Sequence, residues 1–318
     1  MKGLRNRGGW AAFILLTVSA IGTAKPTSMP VPGTVNYVEG QVSLNGQNLS
    51  VKSPGSSLLE AGQVLETGQG RAELLLTPGV FFRVGDNSEV RMVSPGLADT
   101  RVELVKGSAM LEVTLLSKAN DLSVAADGMT TRIEKEGLYD FRAAPPEVRV
   151  LDGKATVYEG NDHVTLKKGH EVVFASGLPL KAQGLDKNAV NSDPLYRWSA
   201  LRSEYEAQAN VDAAQIVVVN GGWYGAGWYW DPYLSYYSYL PGDGFLYSPF
   251  GWGFYSPGFV WRSPFYYHSH GRGWGHSPQT GHYFNGRANG FASHSAPMGG
   301  MHGGSGGGFH GGGGGGHR

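Results

Sequence analysis

The chain has 318 residues, 50 glycines, no cysteine, and equal numbers of acidic and basic side chains, 26 of each. The absence of cysteine excludes disulfides, thiolate metal sites, cysteine nucleophiles and a lipidated N-terminal cysteine. The length would allow two domains, but 24 of the 37 aromatic residues lie between Trp223 and Phe291. This distribution favours one folded domain followed by a tail of biased composition.

The first 24 residues have the pattern of a secretory signal peptide. Three basic residues precede an apolar run of 13 residues, and small residues before position 25 predict cleavage after Ala24. The run is shorter than the ~20 residues that cross a bilayer, although an uncleaved N-terminal anchor remains an alternative. We expect an exported chain in the periplasm, at the cell surface or outside the cell, with no transmembrane span after cleavage. Residues 25–32 then form an extended, proline-bearing lead-in.

Residues 33–177 predict one all-β module. Gly40, Gly107 and Gly153 each interrupt a run of apolar residues, which indicates a strand, a tight turn or bulge, and a continuing strand. Along residues 101–105 and 147–151, charged side chains alternate with Val or Leu, as in a half-buried sheet. Strand-like runs recur every 8 to 14 residues, which favours a β-sandwich or a short β-solenoid.

Three segments carry a resemblance to a known family. Residues 59–68 contain a G-x-x-L-x-T-G start, residues 71–76 an A-x-L-x-L strand, and residues 83–90 a glycine turn followed by a further strand. Together they resemble the FecR-like periplasmic domain over about residues 33–175. The resemblance implies an exported β-rich domain for protein contact or envelope sensing, and it implies no catalytic residue.

One feature of the best-known FecR-like regulators does not match the N-terminus of this sequence. Those proteins place a cytoplasmic anti-sigma segment and a membrane span before the periplasmic domain, whereas only nine residues precede the apolar run here. We therefore do not expect this chain alone to regulate a sigma factor.

A polar linker is predicted at residues 178–192, followed by a helix and a short strand within residues 193–220. Asp193 and Pro194 have the residue types of a helix N-cap and first turn. One stripe at helical spacing follows, formed by Leu195, Trp198, Leu201, Arg202, Tyr205 and Ala209. We expect this stripe to dock on the β-module, with a partner-binding helix as the alternative. Residues 216–219 predict the short strand.

Residues 221–291 combine many aromatic rings with glycine, and prolines interrupt them. This composition disfavours long strands or helices and suits stacking on sugars, on other rings or on surfaces. The segment either covers the module irregularly or stays exposed and adhesive. The predicted contact residues are Trp223, Trp228, Trp230, Trp252 and Trp261. Residues 292–318, rich in Gly and His, are predicted to be disordered.

Charge and histidine content separate the C-terminal tail from the rest of the chain. Residues 244–318 contain four arginines and no acidic residue, whereas residues 25–243 carry a formal net charge of −7. An aromatic, weakly basic tail suits anionic envelope polymers, and export makes nucleic acid an unexpected partner. The spacing of His268, His270, His276 and His282 suits a divalent transition metal, but we expect no cofactor.

These patterns favour a non-enzymatic envelope protein with a binding or scaffolding role. In this hypothesis the β-module contacts a protein or a polysaccharide, and the tail gives multivalent adhesion. One alternative is a signalling or regulatory protein that acts on another protein through its FecR-like domain. A polysaccharide-acting enzyme using Glu134, Glu136 and Asp140 is a second alternative. Metal sequestration by the tail is a third.

Overall fold

The computed structural model describes residues 29–174, 178–221 and 225–262. The predictions for the signal peptide, for Trp223, for the four tail histidines and for residues 292–318 lie outside these ranges. The strands are β1 (Thr34–Leu44), β2 (Gln47–Asn48), β3 (Val64–Leu75), β4 (Val80–Val84), β5 (Glu89–Pro95), β6 (Asp99–Lys106), β7 (Ser108–Val113), β8 (Asp121–Ala126), β9 (Met129–Ile133), β10 (Gly137–Ala143), β11 (Pro146–Asp152), β12 (Lys154–Glu159), β13 (Asp162–Lys167), β14 (His170–Val173), β15 (Gln183–Gly184), β16 (Gly227–Asp231), β17 (Tyr236–Leu240), β18 (Phe245–Tyr247) and β19 (Gly253–Tyr255). The helices are α1 (Lys187–Ser192), α2 (Pro194–Asn220) and α3 (Pro257–Arg262).

The first fifteen strands form one continuous sheet, which confirms the predicted all-β fold class. Its order is β13-β12-β9-β8-β6-β5-β3-β4-β7-β10-β11-β14-β15, and β1 pairs with β3 and β2. The two halves of β3 have different neighbours, because Val64–Glu66 pair with β5 whereas Ala72–Leu75 pair with β4. Strand β10 also contacts β6 and β8, so the sheet folds over on itself into a sandwich.

Two glycines show why the chain turns where it does. Gly40 has φ 66° and lies at a register shift in the β1–β3 pair, where a Cβ would come 2.2 Å from the carbonyl oxygen of Gln69. Gly153 has φ 98° and connects β11 to β12, and its Cβ would come 2.3 Å from the hydroxyl of Tyr139. Only glycine fits both the backbone conformation and the close approach. The predicted turn or bulge is thus observed at both positions.

The sandwich has two layers around one apolar core. We call β13-β12-β9-β8-β6-β5 the first layer and β4-β7-β10-β11-β14-β15 the second layer; β1 and β3 reach both. Side chains from the two layers meet in a single buried cluster, which includes Leu104 and Val124 from the first and Phe82, Phe141 and Val150 from the second. The predicted alternation therefore faces an apolar core on its inner side.

Helix α2 begins as predicted but continues further. The side chain of Asp193 accepts hydrogen bonds from the backbone N–H groups of Leu195 and Tyr196, and Pro194 occupies the first turn. The prediction of a short strand at residues 216–219 is wrong, because they form the last turns of α2. No Gly or Pro interrupts the helix before Gly221, and Val217 is buried against Leu240 and Val260.

The predicted linker and apolar stripe need correction as well. Residues 178–192 contain β15, which pairs with β14, and the short helix α1. On α2, Leu201 and Tyr205 are each 45% exposed. The buried face instead includes five polar side chains beside the apolar ones, namely Ser199, Arg202, Ser203, Glu206 and Asn210.

The described part of the aromatic segment folds back over the module. It forms the hairpins β16–β17 and β18–β19 and ends in α3. Phe81 of the second layer packs against Trp228 and Phe254, so the covering alternative holds for residues 225–262. We call residues 33–174 the module, and residues 194–221 with 225–262 the cap. None of the helices in the described ranges is long and apolar enough to cross a membrane.

Candidate interaction surfaces

A row of mostly charged side chains crosses the outer face of the second layer. Its members lie directly opposite one another on successive strands, so alternation places all of them on the same face. In order from β3 to β15 the row consists of Glu73, Arg83, Met110, Asp140, Arg149, Glu171 and Gln183. We call these residues the charged row. Charged side chains on the outer face of a sheet commonly face solvent, but the cap covers one end of this row.

The covered end forms a buried ion network within the module. Arg83 donates to Glu73 at 2.7 Å and to Glu112 at 2.5 Å, and all three side chains are fully buried. Glu73 also accepts a hydrogen bond of 2.9 Å from the amide of Asn36 on β1. Removing charges from water is costly unless partners surround them. The module therefore requires these residues to be paired with one another or with the cap.

Helix α2 completes this network from the cap. Arg202 donates to Glu73 at 3.0 Å and to Glu206, one helical turn away, at 2.6 Å. Its guanidinium also lies 4.1 Å from the ring centroid of Tyr37 and 4.7 Å from that of Tyr236. A guanidinium over aromatic rings gains cation–π attraction when it is desolvated. Arg202 thus contacts residues of the module, Glu73 and Tyr37, and residues of the cap, Glu206 and Tyr236, at the same time.

Two asparagines bind the backbone of the cap strands. Asn36 donates to the carbonyl of Tyr237 at 3.0 Å, and its side-chain oxygen accepts from the N–H of Tyr237 at 2.7 Å. Asn210 of α2 donates to the carbonyl of Tyr239 and accepts from the N–H of Tyr255. Each amide supplies one donor and one acceptor, as a neighbouring strand would. Asn36 is therefore a point where the module recognises an extended backbone of the cap.

The two buried glutamates of the network have opposite pKa shifts. Burial alone would raise the pKa of Glu73, but the charges of Arg202 and Arg83 outweigh it and lower this pKa to about 2. For Glu206, burial and the neighbouring Glu73 charge raise the pKa well above its usual value. The neutral form of Glu206 is favoured, because a second negative charge beside Glu73 would be poorly compensated. Glu73 is consequently the anionic partner of the two arginines.

The other end of the charged row holds the start of α2. Arg142 pairs with Asp193, the N-cap residue of α2, and with Asp140 at 3.4 Å. Arg149 pairs with Glu147 at 2.8 Å and with Glu171 at 3.4 Å. Burial is the main cause that raises the pKa of Asp140 to about 6. The cap is thus attached to the charged row at two places. The pKa of the carboxyl is lowered at one of them, Glu73, and raised at the other, Asp140.

The first layer offers a free sheet edge at β13. Its six residues pair with β12, and no described strand pairs with its other edge. Gly160, which has a positive φ, and Asn161 form the two-residue turn between β12 and β13. In such a hairpin the residues that flank the turn, Glu159 and Asp162, form a hydrogen-bonded pair. Hydrogen-bonded and non-hydrogen-bonded pairs then alternate along the two strands. The backbone groups of His163, Thr165 and Lys167 accordingly point away from β12. Such an edge is able to accept an additional strand.

A second exposed surface is aromatic and belongs to the cap. Trp252 is 39% and Trp261 is 61% exposed, and Phe245 packs edge-on against Tyr247 and Phe259 nearby in the same subdomain. By contrast, Trp228 and Trp230 are half-buried and pack edge-on against Tyr239 and Tyr237. Of the tryptophans predicted as contacts, Trp252 and Trp261 are therefore exposed, whereas Trp228 and Trp230 pack within the cap.

The predicted metal and acidic sites have different outcomes. His268, His270, His276 and His282 lie outside the described residues, among which no group of three or more His, Asp or Glu side chains is placed to hold a metal ion. Glu134 pairs with Lys154 and accepts a hydrogen bond from Thr156. Asp140 is buried in the charged row. These carboxylates are thus engaged in ion pairs rather than in an open pair.

The sequence pattern does not predict the ion network, because alternation shows which side chains share a face of the sheet but not what covers that face. Glu73, Arg83 and Glu112 lie on three different strands, and each by itself fits an outward-facing strand position. One signal was present in α2, where Arg202 falls within the otherwise apolar stripe and Glu206 follows four residues later. A charged pair on the docking face predicts charged partners beneath it.

The architecture defines a β-sandwich domain with an added helical and aromatic cap. Residues 63–170 match the model of the family described as FecR protein. The chain therefore contains a FecR domain, which confirms the resemblance inferred from sequence. The matched range includes Glu73, Arg83 and Glu112 but ends before α2 and the cap.

Solved structures show a more distant likeness. Two crystal structures, at 2.50 and 1.65 Å resolution, of a candidate anti-sigma factor from Parabacteroides distasonis ATCC 8503 are similar over 40% of this chain. Their sequence identities are 14% and 13%, with a TM-score of 0.36 for each. The chain covers 62% of the length of those structures. No curated protein matches the sequence.

Proposed function

We propose that this chain is a non-enzymatic envelope protein with a signalling or regulatory role, and that its FecR domain binds another protein. The match to the FecR family over residues 63–170 carries the proposal, because a FecR-like domain implies protein contact or envelope sensing. The signal-peptide pattern of residues 1–24 supports an exported location. The binding or scaffolding role, which the sequence patterns favour, is the less supported of the two, and the signalling role that stands there as an alternative is the better supported one.

Strand β13 is the contact that we assign to this partner. The strand lies at the end of the sheet, and the side chains of His163, Thr165 and Lys167 are exposed. An added strand would bond to their free backbone groups, while the exposed side chains would give selectivity. Tyr158 on β12 stacks on His163 and adds an aromatic contact beside the edge. The partner would thus extend the first layer of the sandwich.

The test is site-specific photo-crosslinking in cells that express the full chain. A photo-reactive residue replaces His163 at the edge, or Lys52 in an exposed turn as the control position. We expect a discrete protein adduct from position 163 and none from position 52. A proline at Thr165 removes an outward N–H without touching the hydrogen bonds to β12, so Thr165→Pro should abolish the adduct.

Thr165→Val is the matched control, because it removes only the hydroxyl contact with Thr156 and keeps the backbone donor. It should leave the adduct in place. An adduct that survives Thr165→Pro would show that binding does not use the strand edge. If neither position gives a protein adduct, the protein-binding proposal fails.

Adhesion to envelope polysaccharide is a second candidate function, favoured by the exposed rings of Trp252 and Trp261. Aromatic faces bind sugars by stacking, and these two offer the largest rings of the cap surface. The test is co-sedimentation of the full chain with purified peptidoglycan across a salt series. The double variant Trp252→Ala/Trp261→Ala should lose binding, while Tyr233→Ala, which removes an exposed ring from the other hairpin, should retain it. Equal binding by both variants would contradict this candidate.

A further inference from the structure

The contact between module and cap is unusually polar on the face of α2. An amphipathic helix normally docks through apolar residues, but the buried positions of α2 include Ser199, Arg202, Ser203 and Glu206, and the last three bond to Glu73, Glu112 and Asn36 of the module. Polar and charged groups regain hydration when they are exposed, whereas apolar groups do not. Detachment of this helix is therefore less unfavourable than detachment of an apolar helix with the same buried area.

Several polar atoms in this contact are buried without a hydrogen-bond partner among the described residues. Buried polar groups in folded proteins are nearly always paired, either with protein groups or with ordered water, so these atoms mark places where the protein itself supplies no partner across the contact. The atoms are Arg83 Nη2, Arg202 Nε, Glu206 Oε2, Ser199 Oγ, Trp228 Nε1, Trp230 Nε1 and Tyr239 Oη. Opening would allow water to pair each of them.

The closed state is nevertheless held by specific contacts. Phe81 of the module packs against Trp228 and Phe254 of the cap, and Asn36 binds both backbone groups of Tyr237. Arg202 supplies the cation that Glu73 faces across the contact. These contacts make closure the resting state, and they also show what the uncovered module would select.

The uncovered face of the module is suited to a cation. Arg83 alone would remain to pair with both Glu73 and Glu112, which it bridges at 2.7 and 2.5 Å. Asn36 would keep its hydrogen bond to Glu73, and the amide groups that now bind the backbone of Tyr237 would be released to bind another backbone. A guanidinium is the side-chain group that best matches carboxylates with fixed geometry.

We propose that the cap is a displaceable ligand of its own module: it detaches as a unit and exposes a groove formed by Asn36, Glu73, Arg83 and Glu112, which binds an arginine-bearing segment of another protein in place of Arg202. This inference extends the proposed function, because it adds a regulated second contact on the opposite layer from β13. The cap then determines when the groove is accessible.

The experiment measures thiol labelling in the full chain, which has no native cysteine. Ser199→Cys places a thiol on the buried face of α2, and Val150→Cys places one in the inner core; both positions are fully buried. Opening of the cap alone should make Ser199→Cys react about tenfold faster or more than Val150→Cys under native conditions. Equal rates with equal urea dependence would overturn the proposal, because the cap would then open only in global unfolding.

A peptide tests the chemistry of the groove. The probe has the sequence of residues 194–212, and the same peptide with Arg202→Gln is its matched control. The arginine peptide should trap the open state and raise labelling of Ser199→Cys several-fold, without changing Val150→Cys. Equal effects of the two peptides, or no effect of either, would overturn recognition of a guanidinium. The β13 crosslink reports on the other layer, so its result and this one can fail independently.

Discussion

The inner core of the sandwich and the contact between module and cap are both buried, but they are built from different chemistry. The inner core joins the two layers through Val, Leu, Phe and other apolar side chains. The module–cap contact places Glu73, Arg83 and Glu112 against Arg202 and Glu206. Apolar burial tolerates many arrangements of similar volume, whereas charges in a dry interface tolerate few. The inner core thus depends mainly on apolar volume, whereas the module–cap contact depends on the particular charged residues that the cap presents.

This difference predicts that substitutions in the two regions lower stability for different reasons. Truncation in the inner core loses transfer free energy and leaves a cavity. Removal of one charge from the contact leaves its partners buried without compensation, which is a penalty that depends on pH and on the identity of the replacement.

Arg83→Met should have the largest effect in the charged row. The arginine is fully buried and pairs with two carboxylates, so its loss should lower the free energy of unfolding by about 3–5 kcal/mol. Arg91→Met is the control, since Arg91 pairs with Glu103 across an exposed part of the first layer; exposed pairs contribute about 0–1 kcal/mol. Urea denaturation followed by tyrosine and tryptophan fluorescence measures both. Similar values for the two variants would mean that the row behaves as a solvated surface.

Glu73→Gln and Glu206→Gln should differ although the residues share the same network. Because the pKa of Glu73 is lowered to about 2, its charge contributes stability above pH 4.5, and that stability is lost as pH falls through 2. Glu73→Gln should therefore cost about 3 kcal/mol near pH 7. Because the pKa of Glu206 is raised, its contribution is present below its ordinary pKa and is lost as pH rises through the raised value.

Glu206→Gln should accordingly be nearly neutral in acid and should remove a loss of stability at higher pH. Denaturant midpoints measured from pH 4 to 9 check both variants. Equal destabilisation by the two substitutions at neutral pH would show that both glutamates are charged in the folded protein, and the two pKa values would then not be shifted in opposite directions.

The comparison also explains how much could be predicted from the sequence. Alternating Val and Leu at positions such as Val102 and Leu104 predicts a buried face whichever strands pair with it. Glycines such as Gly40 predict turns because their backbone requirement is local. The N-cap at Asp193 is local in the same way. The FecR resemblance rests on such local features, which is why it was visible from sequence and was confirmed.

The ion network depends on long-range pairing and could not be predicted in the same way. Glu73 meets Arg202 only after β3 is in the sheet and α2 has docked, and these residues are separated by 129 positions. The extension of α2 through residues 216–219 was missed for a related reason. Ile and Val favour strands locally, but burial of Val217 against Leu240 and Val260 stabilises the helix, and tertiary packing outweighs that preference.

Substitution of Asp140 should have the smallest effect on stability. It tests whether the part of the charged row near Asp140 responds to pH differently from the part near Glu73. Burial is the main cause that raises the pKa of the Asp140 carboxyl to about 6; Asp193 and Glu147 raise the pKa further, and Arg142 and Arg149 lower it. A raised pKa means that stability is greatest below the ordinary value of 3.8 and falls as pH rises through 6. Asp140→Asn should remove this slope and raise the free energy of unfolding at pH 8 by about 1–3 kcal/mol, with little effect at pH 4. The same substitution should leave the response of Glu73→Gln unchanged, since distant sites add independently. A destabilised Asp140→Asn at pH 8 would instead show that the ion pairs with Arg142 and Arg149 outweigh the burial of the charge, and the two ends of the row would then act by the same rule.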